Sequence, residues 1–101
     1  MKQDRSRHTP HSLAELKKDL KLPPNTPFLG YVVWLPPTDE FLAYAFMSGG
    51  MEHHGWVRTP EMALTYSHFS EASHQADLYG PPAVVGLLFD IGPSYFVAVS
   101  E

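Results

Sequence analysis

Apolar runs and turn residues divide the chain into five strand-like stretches and two helix-like ones. The strand-like stretches are residues 28–35, 41–47, 51–58, 83–89 and 95–99. They are rich in β-branched and aromatic residues, which pack well on a pleated surface. Proline-rich or glycine-containing turns separate most of them, and Gly49-Gly50 is typical of a two-residue hairpin turn.

The central helix-like stretch, residues 59–80, has a start signal, an apolar stripe and a stop signal. Thr59 is a good N-cap, Pro60 suits the first helical position, and Gly80 suits the left-handed position after the last turn. The stripe recurs at helical spacing and comprises Met62, Ala63, Tyr66, Phe69, Ala72, Ala76 and Tyr79. Ser70 is a second candidate N-cap, so the pattern predicts either one kinked helix or two short ones.

A shorter helix is predicted from Ser12 to about Lys21. Ser12 and Glu15 have the spacing of a capping box, and the leucines at positions 13, 16 and 20 form a stripe. Residues 1–11 are polar and lack periodicity. The chain is therefore expected to contain a flexible basic arm, residues 1–11, and a single α+β domain, residues 12–101.

The predicted order is α-β-β-β-α-β-β. It favours a mostly antiparallel five-stranded sheet with the central helix, whole or split, packed on one face. Most of the strands are apolar on both faces, as in Val32 and Val33. Two helices cover one face of such a sheet but hardly both. The second face is expected to be covered by curling of the sheet, by a second copy in a homodimer, or by another protein partner.

The composition narrows the function classes. The 101 residues are 44% hydrophobic and include no cysteine, which excludes disulfides, zinc–cysteine sites and thiol nucleophiles. No apolar run approaches the length of a membrane span, and the N-terminus lacks the apolar core of a secretion signal. The expected location is the cytoplasm, with no membrane association.

Charge is unevenly distributed along the chain. The first 21 residues contain six of the seven lysines and arginines against three acids, a net charge of about +3. Residues 22–101 contain eight acids and a single basic residue, Arg58, a net charge of about −7. An acidic body argues against nucleic acid as a partner.

The third strand carries the best candidate for chemistry. Glu52, His54, Trp56 and Arg58 alternate, so their side chains are expected on one face of the strand. In this interpretation Arg58 binds an anionic group, Trp56 stacks on a planar one, and His54 carries a proton. The alternative is the solvent-exposed face of an edge strand, on which the charges contribute little.

A pocket between sheet and helix is a second hypothesis. Six aromatic residues are predicted to line it: Tyr31, Trp34, Tyr44, Trp56, Tyr66 and Tyr95. No metal site is predicted, because the adjacent His53 and His54 point to opposite faces of a strand. No nucleotide-binding motif or nucleophile motif is present either, so no cofactor or catalytic residue is predicted.

The sequence therefore favours interaction over catalysis. The predicted function is a small interaction module that self-associates or binds a protein partner through an apolar sheet face. The alternative is a domain, or an enzyme, that binds a small anionic or aromatic ligand in a pocket around Trp56 and Arg58.

Overall fold

The computed structural model describes residues 13–99. Its elements are α1 (Leu13–Asp19), β1 (Phe28–Leu35), β2 (Glu40–Ser48), β3 (Met51–Val57), a 3₁₀ turn (Pro60–Met62), α2 (Phe69–Tyr79), β4 (Val84–Asp90) and β5 (Tyr95–Val99). The strands form one antiparallel sheet in the order β3-β2-β1-β4-β5. The predicted α+β class and element order are confirmed. The predicted basic arm, residues 1–11, and the predicted cap Ser12 lie outside the described residues.

The central helix is shorter than its apolar stripe predicts. Of the two predicted alternatives the split one forms: Thr59 caps the 3₁₀ turn, and α2 begins separately at Phe69. The N-cap of α2 is His68, so the prediction of Ser70 as its cap is wrong, and so is that of one continuous helix from Thr59. Residues 64–66 are extended instead, because Leu64 donates its N–H to Leu42 O and Tyr66 exchanges two backbone hydrogen bonds with Tyr31. A backbone that hydrogen-bonds to strands cannot also close helical turns.

Both helices pack on the same side of the sheet, which we name the helix face. Ala72 and Ala76 of α2 are buried in one cluster with Val33, Leu42 and Val85. The leucines of α1 pack beside a second cluster on this face, formed by Leu87, Phe89 and Ala98. Small alanines let α2 approach the sheet closely, and the α1 leucines extend the cover toward β5.

The opposite face of the sheet is buried at its centre only. Val32, Phe41 and Leu88 are at most 2% exposed there, and Ala63 from the segment before α2 packs against them. The chain itself therefore covers the middle of the second apolar face. The β2–β3 end of the same face is exposed.

That exposure follows from a fork between β1 and β2. The two strands pair only at Trp34–Phe41 and Leu35–Glu40, and then the extended residues 64–66 lie between them. Gly30 makes the fork possible: its φ is +139°, and a Cβ there would lie 3.0 Å from Thr65 Cβ and 3.1 Å from Tyr66 O. Beyond the fork, residues 44–55 form a two-stranded ribbon, which we name the distal hairpin.

Candidate functional site

Three of the four predicted polar residues of β3 come together in a cluster. Arg58 lies apart from them, and Tyr79 of α2 joins them. The register places Glu52, His54 and Trp56 on the helix face, where they meet the end of α2. His54 Nδ1 lies 3.1 Å from both carboxylate oxygens of Glu52, and the Tyr79 hydroxyl donates to Glu52 Oε2 at 3.1 Å. Gln75 Nε2 in turn donates to the Tyr79 hydroxyl at 3.0 Å.

Aromatic packing holds this cluster together. The Tyr79 ring centroid lies 4.8 Å from that of His54 and 5.3 Å from that of Trp56, and the last pair is edge-to-face. Such contacts add about 0.5–1.5 kcal/mol each beyond the area they bury. Tyr79 therefore fastens the base of the distal hairpin to the end of α2.

The chemistry of this cluster is that of an oriented histidine. A carboxylate facing Nδ1 favours the tautomer that carries a proton there, which leaves Nε2 as an acceptor. The two side chains are 35% and 45% exposed, so solvent reaches both. Their hydrogen bonds are made within the chain, and the arrangement serves first to hold β3 in place.

Arg58 is separate from the cluster. It follows the last residue of β3 in a bend and is exposed, and it makes no ion pair with any carboxylate of residues 13–99. Its guanidinium is therefore hydrated, and burial imposes no need for an acidic partner within the chain.

Three tyrosines near α2 have perturbed acidity. Burial raises the pKa of Tyr31 above its ordinary value. Burial also raises the pKa of Tyr66, with smaller contributions from Tyr79 and Glu71, and burial is the first cause of the raised pKa of Tyr79. All three hydroxyls therefore stay protonated at neutral pH, and that of Tyr79 donates to Glu52 Oε2.

The predicted six-residue aromatic pocket does not form. The register puts Tyr31 and Trp56 on the helix face, and Tyr66 packs there too. Trp34, Tyr44 and Tyr95 point to the opposite face, so the sheet separates the two sets. Adjacent residues of a strand point to opposite faces of the sheet, and the six predicted residues include positions that point to each face.

Two of the six residues have evident roles elsewhere. Trp34 stacks on Phe41, and its indole N–H donates to Asp39 Oδ1 at 3.1 Å, which closes the β1–β2 turn. Tyr66 lines an open groove of about 450 Å³ beside α2, together with Ser70, Glu71, His74 and Gln75.

The distal hairpin exposes apolar side chains on its opposite face. Tyr44 is 48% exposed, Phe46 51% and Met51 65%. The Phe46 ring stacks on His53 at 5.1 Å and lies 5.8 Å from the Tyr44 ring. We name these four residues the hairpin patch. Of the four, only Tyr44 is a candidate site residue on sequence grounds, although FLAYAFM beside a Gly-Gly turn is the signal of an apolar strand at a hairpin tip.

Tyr44 has a second structural role within this patch. Its ring lies over Gly55 on the paired strand, so closely that a Cβ at Gly55 would meet ring atoms at 2.5 and 2.6 Å. Residue 55 must therefore be glycine for the ring to reach the edge of the sheet. The patch thus extends across both strands of the ribbon.

The backbone of β3 is a further feature of the site. Among residues 13–99, β3 is an outer strand of the sheet and has β2 as its one neighbour. The hairpin turn at Gly49-Gly50 has both φ angles positive, +60° and +77°, as in a type I′ turn. Such a turn makes Ser48–Met51 a hydrogen-bonded pair, and by alternation Glu52 and His54 direct their backbone groups to the free edge.

Residues 13–99 contain neither a metal-binding cluster nor a membrane-spanning helix. No three His, Asp or Glu side chains in residues 13–99 converge as a metal ion requires. None of the helices in this range is long and apolar enough to cross a bilayer. Comparisons of the chain with models of protein families, with curated proteins and with solved structures give no match.

Proposed function

We propose that the protein is a self-associating interaction module whose contact surface is the distal hairpin. The observation that carries the proposal is the hairpin patch, an apolar surface on a two-stranded ribbon that projects beyond the fork. A two-stranded hairpin is marginal in water by itself, and exposed aromatic side chains make it less favourable still. Contact with another molecule removes both disadvantages.

The free energy gained by burying the hairpin patch suits a reversible complex. Complete burial of a large apolar side chain contributes about 1.5–3 kcal/mol, so covering the exposed half of three of them contributes about 2–4 kcal/mol per copy. Two copies contribute about 4–8 kcal/mol, the range from a millimolar to a micromolar complex before the costs of association. Backbone pairing at the free edge of β3 is a further source of stability.

Charge favours a second copy at this position. Residues 41–58 contain one acid, Glu52, and one base, Arg58, whereas residues 22–101 as a whole are strongly acidic. Two like-charged copies repel least where each is locally neutral.

Sedimentation of the purified protein tests the proposal. Over a range of about 1 µM to 1 mM, which spans about −8 to −4 kcal/mol of binding free energy, the weight-average mass should rise from monomer to dimer. Phe46→Ser should shift that transition to higher concentration. Leu78→Ser, which changes a 65% exposed leucine on α2, is the matched control and should leave it unchanged.

Two results would contradict the proposal. A mass that stays monomeric over the whole range argues against self-association. A dimer that weakens equally in both variants places the contact outside the hairpin patch.

A small-molecule site is the second candidate, and the groove beside Tyr66 favours it. Its volume is within the range of ligand sites, and Glu71 and His74 offer polar contacts. The groove adjoins the α2 end of the polar cluster through Gln75 and does not include Arg58. Thermal shift with aromatic carboxylates and amines tests it, and a shift lost in His74→Ala would support it.

A further inference from the structure

The free edge of β3 is suited to a specific partner, a second β3 strand. Residues 51–57 contain no lysine, arginine or proline, the residues that commonly protect an edge strand from pairing. Glu52 and His54 already direct backbone N–H and C=O groups outward, and Trp56 continues the same alternation. Two such edges have complementary donors and acceptors when they run antiparallel.

The alternation restricts the register of this pairing. Hydrogen-bonded pairs across the new interface must join outward-directed residues, which are the even-numbered ones. Two central registers satisfy this condition, with the twofold axis at His54 or at Gly55. At His54, two imidazoles face each other and Glu52 lies opposite Trp56 of the second copy, so neither charge is matched.

The register centred on Gly55 is self-complementary. It places Glu52 opposite Arg58 of the second copy, and His54 opposite Trp56 of the second copy. Each dimer then has two cross-strand pairs of opposite charge. Arg58, which makes no ion pair within residues 13–99, gains a partner that this part of its own chain does not give it.

Gly55 itself supports the same register. Antiparallel strands related by a twofold axis have the same sheet face on the same side, so the two hairpin patches share one face of the joined sheet, meet at the axis through Tyr44 and extend from it in opposite directions. The Tyr44 ring already lies over Gly55, and no Cβ intervenes. Two facing glycines thus bring the Tyr44 rings of both copies to the axis, where they cover each other.

We propose that two copies of this chain pair β3 to β3, antiparallel about a twofold axis at Gly55, with Glu52 of each copy facing Arg58 of the other. This inference rests on the proposed function, since it specifies the partner and geometry of the hairpin contact. It makes one ten-stranded sheet from the two five-stranded ones.

Charge reversal tests the register. R58E places two acids opposite each other twice in the dimer, and E52R does the same with two cations. Reversing two pairs from attraction to repulsion, at about 0.2–1 kcal/mol each way, should weaken the dimer by about 4-fold to about 700-fold in sedimentation experiments. D77R makes the same +2 charge change as E52R but on α2, where a cation suits the helix end, and should not weaken the dimer.

Mixing the two variants gives the decisive result. A heterodimer of R58E with E52R has two opposite-charge pairs again, so the mixture should sediment as a dimer at concentrations where each variant alone is monomeric. The E52R change also removes the contacts of Glu52 with His54 and Tyr79, so circular dichroism must first show that this variant is folded.

Hydrogen exchange of the native protein gives a measurement that needs no variant. The amide protons of Glu52, His54 and Trp56 should exchange more slowly at high protein concentration than at low concentration. The amides of residues 51 and 53, which face β2, should change little.

The outcomes separate the two proposals. Restoration by mixing, together with slower exchange at the three edge amides, supports the β3 pairing. A native dimer that Phe46→Ser weakens but that mixing does not restore overturns this register and leaves hairpin self-association standing. A native protein that is monomeric at every concentration overturns both.

Discussion

Gly30 is the residue on which the fork between β1 and β2 depends, and Gly30→Ala tests that dependence. Its φ of +139° lies in a region that side chains with a Cβ rarely enter, which costs about 1–3 kcal/mol. An added Cβ would also lie 3.0 Å from Thr65 Cβ and 3.1 Å from Tyr66 O. That oxygen accepts from Tyr31 N–H at 2.9 Å, so it cannot move away without lengthening a hydrogen bond.

The expected loss has two parts. Backbone strain and the overpacked contact, which costs about 1–3 kcal/mol, together lower the free energy of unfolding by about 2–6 kcal/mol. At about 4–8 °C per kcal/mol for a domain of this size, the melting temperature should fall by at least about 8 °C. Hydrogen exchange at the Tyr31 and Tyr66 amides should accelerate because residues 64–66 are held less tightly between β1 and β2.

Gly92→Ala is the matched control. Gly92 also has a positive φ, +99°, but nothing lies within 4 Å of where its Cβ would be. The control therefore bears the backbone strain alone, and urea denaturation of both variants measures the difference. If the two free energies of unfolding agree within about 0.5 kcal/mol, the close approach of residues 64–66 to Gly30 has no energetic weight and our account of the fork is wrong.

Three further predictions concern the core, the tyrosines and the cluster. Phe41→Ala should lower the free energy of unfolding by about 3–5 kcal/mol because the ring is 1% exposed. Phe46→Ala, at a half-exposed site, should lower it by less than about 1 kcal/mol in the monomer. Urea denaturation at low protein concentration compares the two variants. Above pH 10 the unfolded chain should lose tyrosine protons that the folded chain retains, because the pKa values of Tyr31, Tyr66 and Tyr79 are raised in the folded state. The free energy of unfolding should therefore be full below that pH and fall as pH rises through the folded pKa values. Denaturation at several alkaline pH values, with tyrosinate absorbance, measures this fall, and a constant free energy of unfolding would contradict the raised pKa values. Tyr79→Phe removes the hydroxyl that donates to Glu52 and should cost about 0.5–1.5 kcal/mol while keeping the ring contacts, whereas Tyr79→Ala should cost clearly more; equal losses would show that the ring packing contributes nothing.

Local signals in the sequence predicted the strands well and the central helix only in part. β-branched and aromatic runs bounded by Pro-Pro and Gly-Gly mark β1, β2 and β3 correctly, because those residues restrict the backbone wherever they occur. The apolar residues of positions 62–66 also have helical spacing, but they contact strands in an extended conformation. Apolar periodicity indicates which residues are buried, but the backbone conformation in which they are buried depends on their tertiary contacts.

The polar cluster was likewise predictable only in part. Strand alternation alone puts Glu52, His54 and Trp56 on one face, and the structure agrees. Tyr79, which completes the cluster, is 27 residues from Glu52 in the chain, and no local pattern joins the two.

The α+β class, the order of the elements and the excess of apolar strand surface over helix surface follow from the residues alone, because backbone preference and side-chain hydrophobicity are properties of each residue. Three features depend on the folded chain: which aromatic side chains share a face, where the sheet forks, and which end of the second face stays exposed. Those outcomes depend on strand register and on the close approach at Gly30, where the insertion of a distant segment overrides local preference.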